Sequence, residues 1–102
     1  MKRKMSHIFN ITDKTGRKIR LTKRQWRETN LKHPSMAAYL EEIKETIINP
    51  DVISKYSIDK NVRYYYKYFK HIKSKNKYLL VIIKYLNGEG FIIKSYFEKK
   101  IK

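Results

Sequence analysis

The stretch YLLVIIKYLNGEGFIIKSYF, Tyr78–Phe97, decides the fold. Two runs rich in β-branched and aromatic residues, Tyr78–Leu86 and Gly90–Phe97, flank Asn87-Gly88-Glu89-Gly90. Asn and Gly tolerate the backbone angles of a tight reversal, so the stretch reads as a hairpin. Leu79 to Ile83 is apolar without a break, but it falls far short of the roughly 20 residues a membrane helix needs. Upstream, Val62–Phe69 and Val52–Ile58 have the same composition, with Asp59-Lys60-Asn61 and Lys73–Asn76 as turns. Short connections join antiparallel neighbours, so the C-terminal half is expected to be a four-stranded antiparallel meander.

The N-terminal half changes period. His7–Thr12 and Arg17–Leu21 are short β-prone runs around Asp13-Lys14-Thr15-Gly16, which predicts a short hairpin. Thr22 can cap a helix over Lys23–Leu31, and Pro34 ends that segment. Ser35 can cap a second helix, Met36–Ile48, in which Met36, Leu40, Ile43 and Ile47 form one apolar stripe. Asn49-Pro50-Asp51 stops it. Trp26 is expected to anchor the first helix on the core, with base stacking as its other use. The expected fold class is therefore α+β: a short N-terminal hairpin and two helices packed on one face of the meander. Residues 1–102 suit one domain, with basic segments 1–6 and 98–102 expected to fray.

Charge bounds the function. Twenty-five Lys and Arg face nine Asp and Glu, for a net charge of +16 and a pI near 10.1. Such a surface repels itself, and a polyanion offsets that cost. An A/T-biased genome would enrich Glu as much as Lys, so codon drift alone does not account for the imbalance. Nucleic acid is the expected partner, RNA (tRNA or mRNA) before DNA. Glu41, Glu42, Glu45 and Asp51 gather on or beside the second helix, which should face away from a polyanion.

Other classes recede. There is no cysteine, which excludes disulfides and thiolate sites. His7, His33 and His71 lack ligand spacing, so neither a metal nor a cofactor is expected. Lysines in Met1–Ser6 precede no apolar stretch, so no secretory signal is read there; the expected location is cytoplasmic, with no membrane partner.

Alternation in Val62–Phe69 divides it into Val62, Tyr64, Tyr66, Tyr68 and Arg63, Tyr65, Lys67, Phe69. The first set is the richer in apolar and aromatic groups and is expected to meet the helices. That would turn Arg63, Tyr65 and Lys67 to an open, cationic sheet face. Tyr65, Lys67, Arg24, Lys84 and Lys99 are the candidate nucleic-acid contacts, where tyrosine stacks on a base and a cation holds its phosphate. An ordinary solvated face with cross-strand pairs is the plain alternative.

His33 stands at the break between helices, where a side chain can reach a cleft. Imidazole suits proton transfer at neutral pH, and RNA cleavage asks for proton transfer plus cations on a crowded phosphate. His33, Tyr96, Lys94 and Arg63 supply those groups; the plain alternative is a histidine that caps a helix end.

Leu21-Thr22, Trp26 and Lys32-His33-Pro34 resemble the "LT…W…(R/K)HP" signature of small phage- and mobile-element-associated domains of the barnase–EndoU–colicin–RelE-like fold. Asn49-Pro50-Asp51 is similar to their "PD" motif, Tyr64-Tyr65 to their paired aromatics, and Phe91–Tyr96 to their closing "hhhTAY". The resemblance covers about residues 19–102. It implies two helices followed by an antiparallel sheet on which RNA is cleaved without a metal. Position by position, it implies His33 with Lys32 before it, and Tyr96 with Ser95 before it. Two departures stand out: Glu28 occupies the place of a frequent second histidine, and Lys94 that of the threonine.

Together these readings lead to the expectation of a metal-independent, toxin-like ribonuclease that leaves a 2′,3′-cyclic phosphate. His33 would be the proton-transfer group and Tyr96 a second acid/base or a phosphate ligand, with Lys32, Arg63 and Lys94 for the phosphate charge and Ser95 for a bond to the scissile phosphate. The alternatives are a non-catalytic binding module with a basic, tyrosine-bearing sheet face, and a protein that docks an acidic inhibitor.

Overall fold

The computed structural model describes residues 7–55 and 58–102. The expected basic segment 1–6, and Tyr56 and Ser57 of the expected strand Val52–Ile58, lie outside the described residues. Strands β1 (His7–Thr12) and β2 (Lys18–Thr22) form the hairpin. Helix α1 (Lys23–Lys32), a 3-10 turn (Pro34–Ala38) and helix α2 (Leu40–Ile48) follow. Strands β3 (Val52–Ser54), β4 (Val62–Tyr68), β5 (Tyr78–Leu86) and β6 (Glu89–Glu98) complete the chain.

The α+β class holds, but the four-stranded antiparallel sheet does not. All six strands join one mixed sheet in the order β1-β2-β6-β5-β4-β3. The meander is present within it, and β2 adds to the outer edge of β6 in parallel, through Ile19↔Gly90 and Arg20↔Phe91. Gly90 makes that junction possible. A Cβ there would lie 2.8 Å from Ile19 Cδ1, 2.9 Å from Ile83 Cγ2 and 3.0 Å from Tyr85 Cδ1. Gly90→Ala is therefore expected to destabilise the fold by about 1–3 kcal/mol through overpacking. Chemical denaturation checks this, and an unchanged midpoint would remove Gly90 from the junction's requirements.

Local chemistry explains the element ends. Thr22 Oγ1 accepts the Gln25 N–H at 3.1 Å and caps α1. Ser35 does not cap α2, because the chain first makes the 3-10 turn and α2 starts only after Tyr39. The predicted stripe survives this break: Met36, Ile43 and Ile47 are buried. The reversal between β5 and β6 narrows to Asn87 and Gly88, both with positive φ (55° and 82°).

Both helices cover one face, over a core that includes Ile19, Leu21, Ile43, Ile47, Val81, Ile83 and Ile92, with Trp26 packed against it as expected. The opposite face is apolar as well. Val62, Tyr66, Leu80 and Ile82 are buried there, flanked by Tyr64, Tyr78, Ile93, Tyr96 and Ile101. In the C-terminal segment Ile101 packs on this face, and the Lys102 N–H donates to the Tyr66 hydroxyl at 3.4 Å.

This double coverage inverts the expected orientation of β4. Tyr65 is fully buried on the helix side, while Val62 and Tyr66 face away from the helices. Tyr65 tolerates the core because its hydroxyl donates to Asp13 Oδ2 at 2.6 Å. Asp13 lies at the hairpin turn and also accepts from Tyr85, Thr15 and the Arg17 N–H.

Candidate active site

Beyond Arg20↔Phe91 no further pairs join β2 and β6, because β2 runs into α1. The wall of α1 and the last half of β6 then enclose a cleft of about 400 Å³. From α1 and its end come Gln25, Glu28, Thr29, Lys32 and His33; from β6 come Ile93, Lys94, Ser95 and Tyr96. The strand is irregular here. Ile82 pairs with Lys94 and Ile83 with Ile92, which leaves Ile93 as the extra residue of a bulge. Gln25 Nε2 donates to the Ile93 carbonyl at 2.7 Å, so α1 is tied to the strand at the bulge.

His33 is the C-cap of α1, its N–H bonded to the Thr29 carbonyl at 2.8 Å. Its exposed imidazole stacks on Tyr96, with ring centroids 5.0 Å apart and planes at 15°. Burial first, and then the Glu98 carboxylate that its hydroxyl bonds, raise the Tyr96 phenol above its usual range. The phenol therefore stays protonated at neutral pH. Glu98 is held in turn by Lys102, 3.7 Å away, so the C-terminal segment braces Tyr96.

Five of the residues singled out from the sequence line this cleft: His33, Tyr96, Lys32, Lys94 and Ser95. Arg63 is not among the lining residues. It is turned to its own neighbourhood, where Nη1 donates to the Lys60 carbonyl at 2.7 Å and the Val62 carbonyl at 2.9 Å. The proposed nucleic-acid contacts divide similarly. Tyr65 is sealed in the core, and Lys67 is bound to the Asn49 carbonyl and lies 3.7 Å from Asp51. Lys84 pairs with Asp59 at 2.7 Å. Arg24 and Lys99 remain exposed. Gln25 and Glu28 were not among the expected site residues. Glu28 carries two sequence signals, the helical spacing that puts it one turn before Lys32 and its place where the resembled family often has a second histidine; Gln25 carries none beyond its helical position. No group of three or more His, Asp or Glu that could hold a metal occurs among the described residues.

The family model described as phage-Barnase-EndoU-ColicinE5/D-RelE like nuclease2, PBECR2, matches residues 2–102. The chain belongs to this family. Membership in PBECR2 makes nucleic acid the substrate class and nuclease chemistry the activity class. No curated protein and no solved structure matches the chain significantly. No helix among the described residues is long and apolar enough to cross a membrane.

Proposed function

We propose that this PBECR2 domain is a metal-independent endoribonuclease that acts on tRNA or mRNA, with a toxin-like role and an acidic protein as its inhibitor. The observation that carries this reading is the His33–Tyr96 stack inside a cleft flanked by Lys32 and Lys94. His33 is the proton-transfer group. Lys32 and Lys94 stabilise charge on the pentacoordinate phosphate. Ser95, at the cleft floor, bonds a phosphate oxygen. Tyr96 is a positioning residue, because its hydroxyl is already engaged by Glu98 and its ring orients the imidazole. The attacking group is the substrate's own 2′-hydroxyl, so the products are a 2′,3′-cyclic phosphate and a 5′-hydroxyl. These steps need only proton transfer and fixed cations, which the cleft's side chains supply.

Incubation of the purified chain with total RNA in excess chelator tests the proposal. Cleavage to cyclic-phosphate ends is expected, with DNA of matched sequence left intact because it lacks the nucleophile. Intact RNA that is nevertheless bound would leave a binding module; cleavage abolished by chelator would reject the metal-free route.

A further inference from the structure

The ribonuclease reading leaves one proton unassigned, and the inference here rests on that reading. In-line attack needs a group to take the 2′-hydroxyl proton and another, across the phosphorus, to protonate the leaving 5′-oxygen. One imidazole cannot face both sides at once. Tyr96 stays protonated and is committed to Glu98. Lysine ammonium groups have no lone pair to accept a proton, and Gln25, Thr29 and Ser95 are not bases at neutral pH.

Glu28 is the remaining lining residue able to accept a proton. Its surroundings make its freedom informative. Asp13, Glu41, Asp51, Asp59, Glu89 and Glu98 are engaged by hydroxyls, backbone N–H groups or lysine and arginine side chains, and Glu42 and Glu45, whose carboxylates are also unengaged among the described residues, stand on α2 and do not line the cleft. Glu28 forms no hydrogen bond or ion pair among the described residues, although Lys32 lies one helical turn away and Lys94 lines the same cleft. A free carboxylate opposes phosphate binding, so affinity for RNA does not explain it. Proton acceptance does.

We infer that Glu28 is a second catalytic residue, whose carboxylate takes the 2′-hydroxyl proton while His33 delivers one to the leaving oxygen. The 2′-oxygen then bonds to phosphorus as the P–O5′ bond breaks. Glu28 ends protonated and His33 neutral, and exchange with water resets both. The other titratable groups facing Glu28 are Lys32 and His33 at the end of α1, and Lys94 and Tyr96 on β6.

The test uses the full chain, a defined oligoribonucleotide and its 2′-deoxy analogue. Glu28→Gln is expected to lower kcat by roughly a hundredfold or more. Affinity for the uncleavable analogue should stay level or tighten, because a negative charge has gone. Glu28→His should restore part of the rate and move the acidic limb of the pH profile to higher pH. Glu28→Gln within about threefold of wild-type kcat would overturn the assignment. So would equal losses of rate and analogue affinity in a variant with an unchanged melting temperature. A wild-type chain that leaves RNA intact would instead overturn the ribonuclease reading, and this assignment with it.

Discussion

His33→Ala is expected to lower kcat for RNA cleavage by roughly a hundred- to ten-thousandfold while leaving RNA affinity nearly unchanged. The split follows from the geometry. On the proposed reading the ring that moves the proton is the ring stacked on Tyr96, so its loss would remove the chemistry and leave Lys32 and Lys94 in place to hold phosphate. His33 is exposed and its backbone N–H supplies the bond to Thr29, so alanine keeps the α1 cap and the fold. Single-turnover cleavage and binding to a 2′-deoxy analogue separate the two effects. Tyr96→Phe is the control: it keeps the aromatic platform, loses the bond to Glu98, and should retain most of the rate. A fall as deep as that of His33→Ala would assign the phenol to the chemistry. In cells, His33→Ala should relieve any toxicity of the wild-type chain. An unaltered growth defect would detach toxicity from RNA cleavage.

The meander was legible because each of its strands announces itself locally, by composition and by turn residues such as Asn87-Gly88. The β2–β6 junction was not. It rests on two parallel pairs between residues some 70 positions apart, and on a glycine whose requirement comes from three neighbours distant in sequence. Nothing in the local pattern of Lys18–Thr22 encodes that partner. The orientation of β4 failed for a different reason. Counting apolar groups on its two sides assumes one wet face, but here both faces are covered. The unbroken run Leu79–Ile83 carried that signal, since a strand buried on both sides has no polar alternation. One of the side chains packed on that second face, Ile101, sat in a segment whose lysines suggested solvent.

The cleft was legible in part. Residue chemistry suggested His33 and the cations, but only the motif order joined Lys32-His33-Pro34 to the closing Ser95-Tyr96. The fold provides the reason: β2 leaves β6 as it enters α1, so the end of α1 and the last half of β6 become the two walls. Arg63 shows the limit of reading by residue type. Its guanidinium suits phosphate, yet its place on β4 ties it to the carbonyls of Lys60 and Val62. The bulge at Ile93 and the Gln25 bond that secures it are backbone events with no composition signal.

The second large effect concerns Asp13, which appeared in the sequence only as a turn residue. Asp13→Ala is expected to cost about 3–5 kcal/mol, since it removes the shared acceptor of two backbone N–H groups of the turn and of the buried Tyr65 and Tyr85 hydroxyls, which are then left with only each other. For a chain of this size the melting temperature should fall by at least about 12 °C. The same carboxylate sets the pH response. Burial pushes Asp13 up, but bonds from Tyr65, Tyr85, Arg17 and Thr15 outweigh it and hold the carboxyl below its usual range. A folded value below the unfolded one means that the ionised group stabilises the fold above about pH 4, and that this contribution fades as the pH falls further. At the alkaline end the sign reverses. Burial and the Asp13 bond push Tyr85 up to about 12, and Tyr65 is raised by the same causes. Protonated tyrosines therefore stabilise the fold up to about pH 10, and the contribution is lost as the pH rises through the folded value. Asp13→Asn, which keeps the shape, should flatten the acidic limb of a melting-temperature profile below about pH 4. Parallel acid limbs for the two proteins would show that other carboxylates govern acid unfolding, and a loss under about 4 °C for Asp13→Ala would show that the hairpin turn is held by its backbone bonds alone.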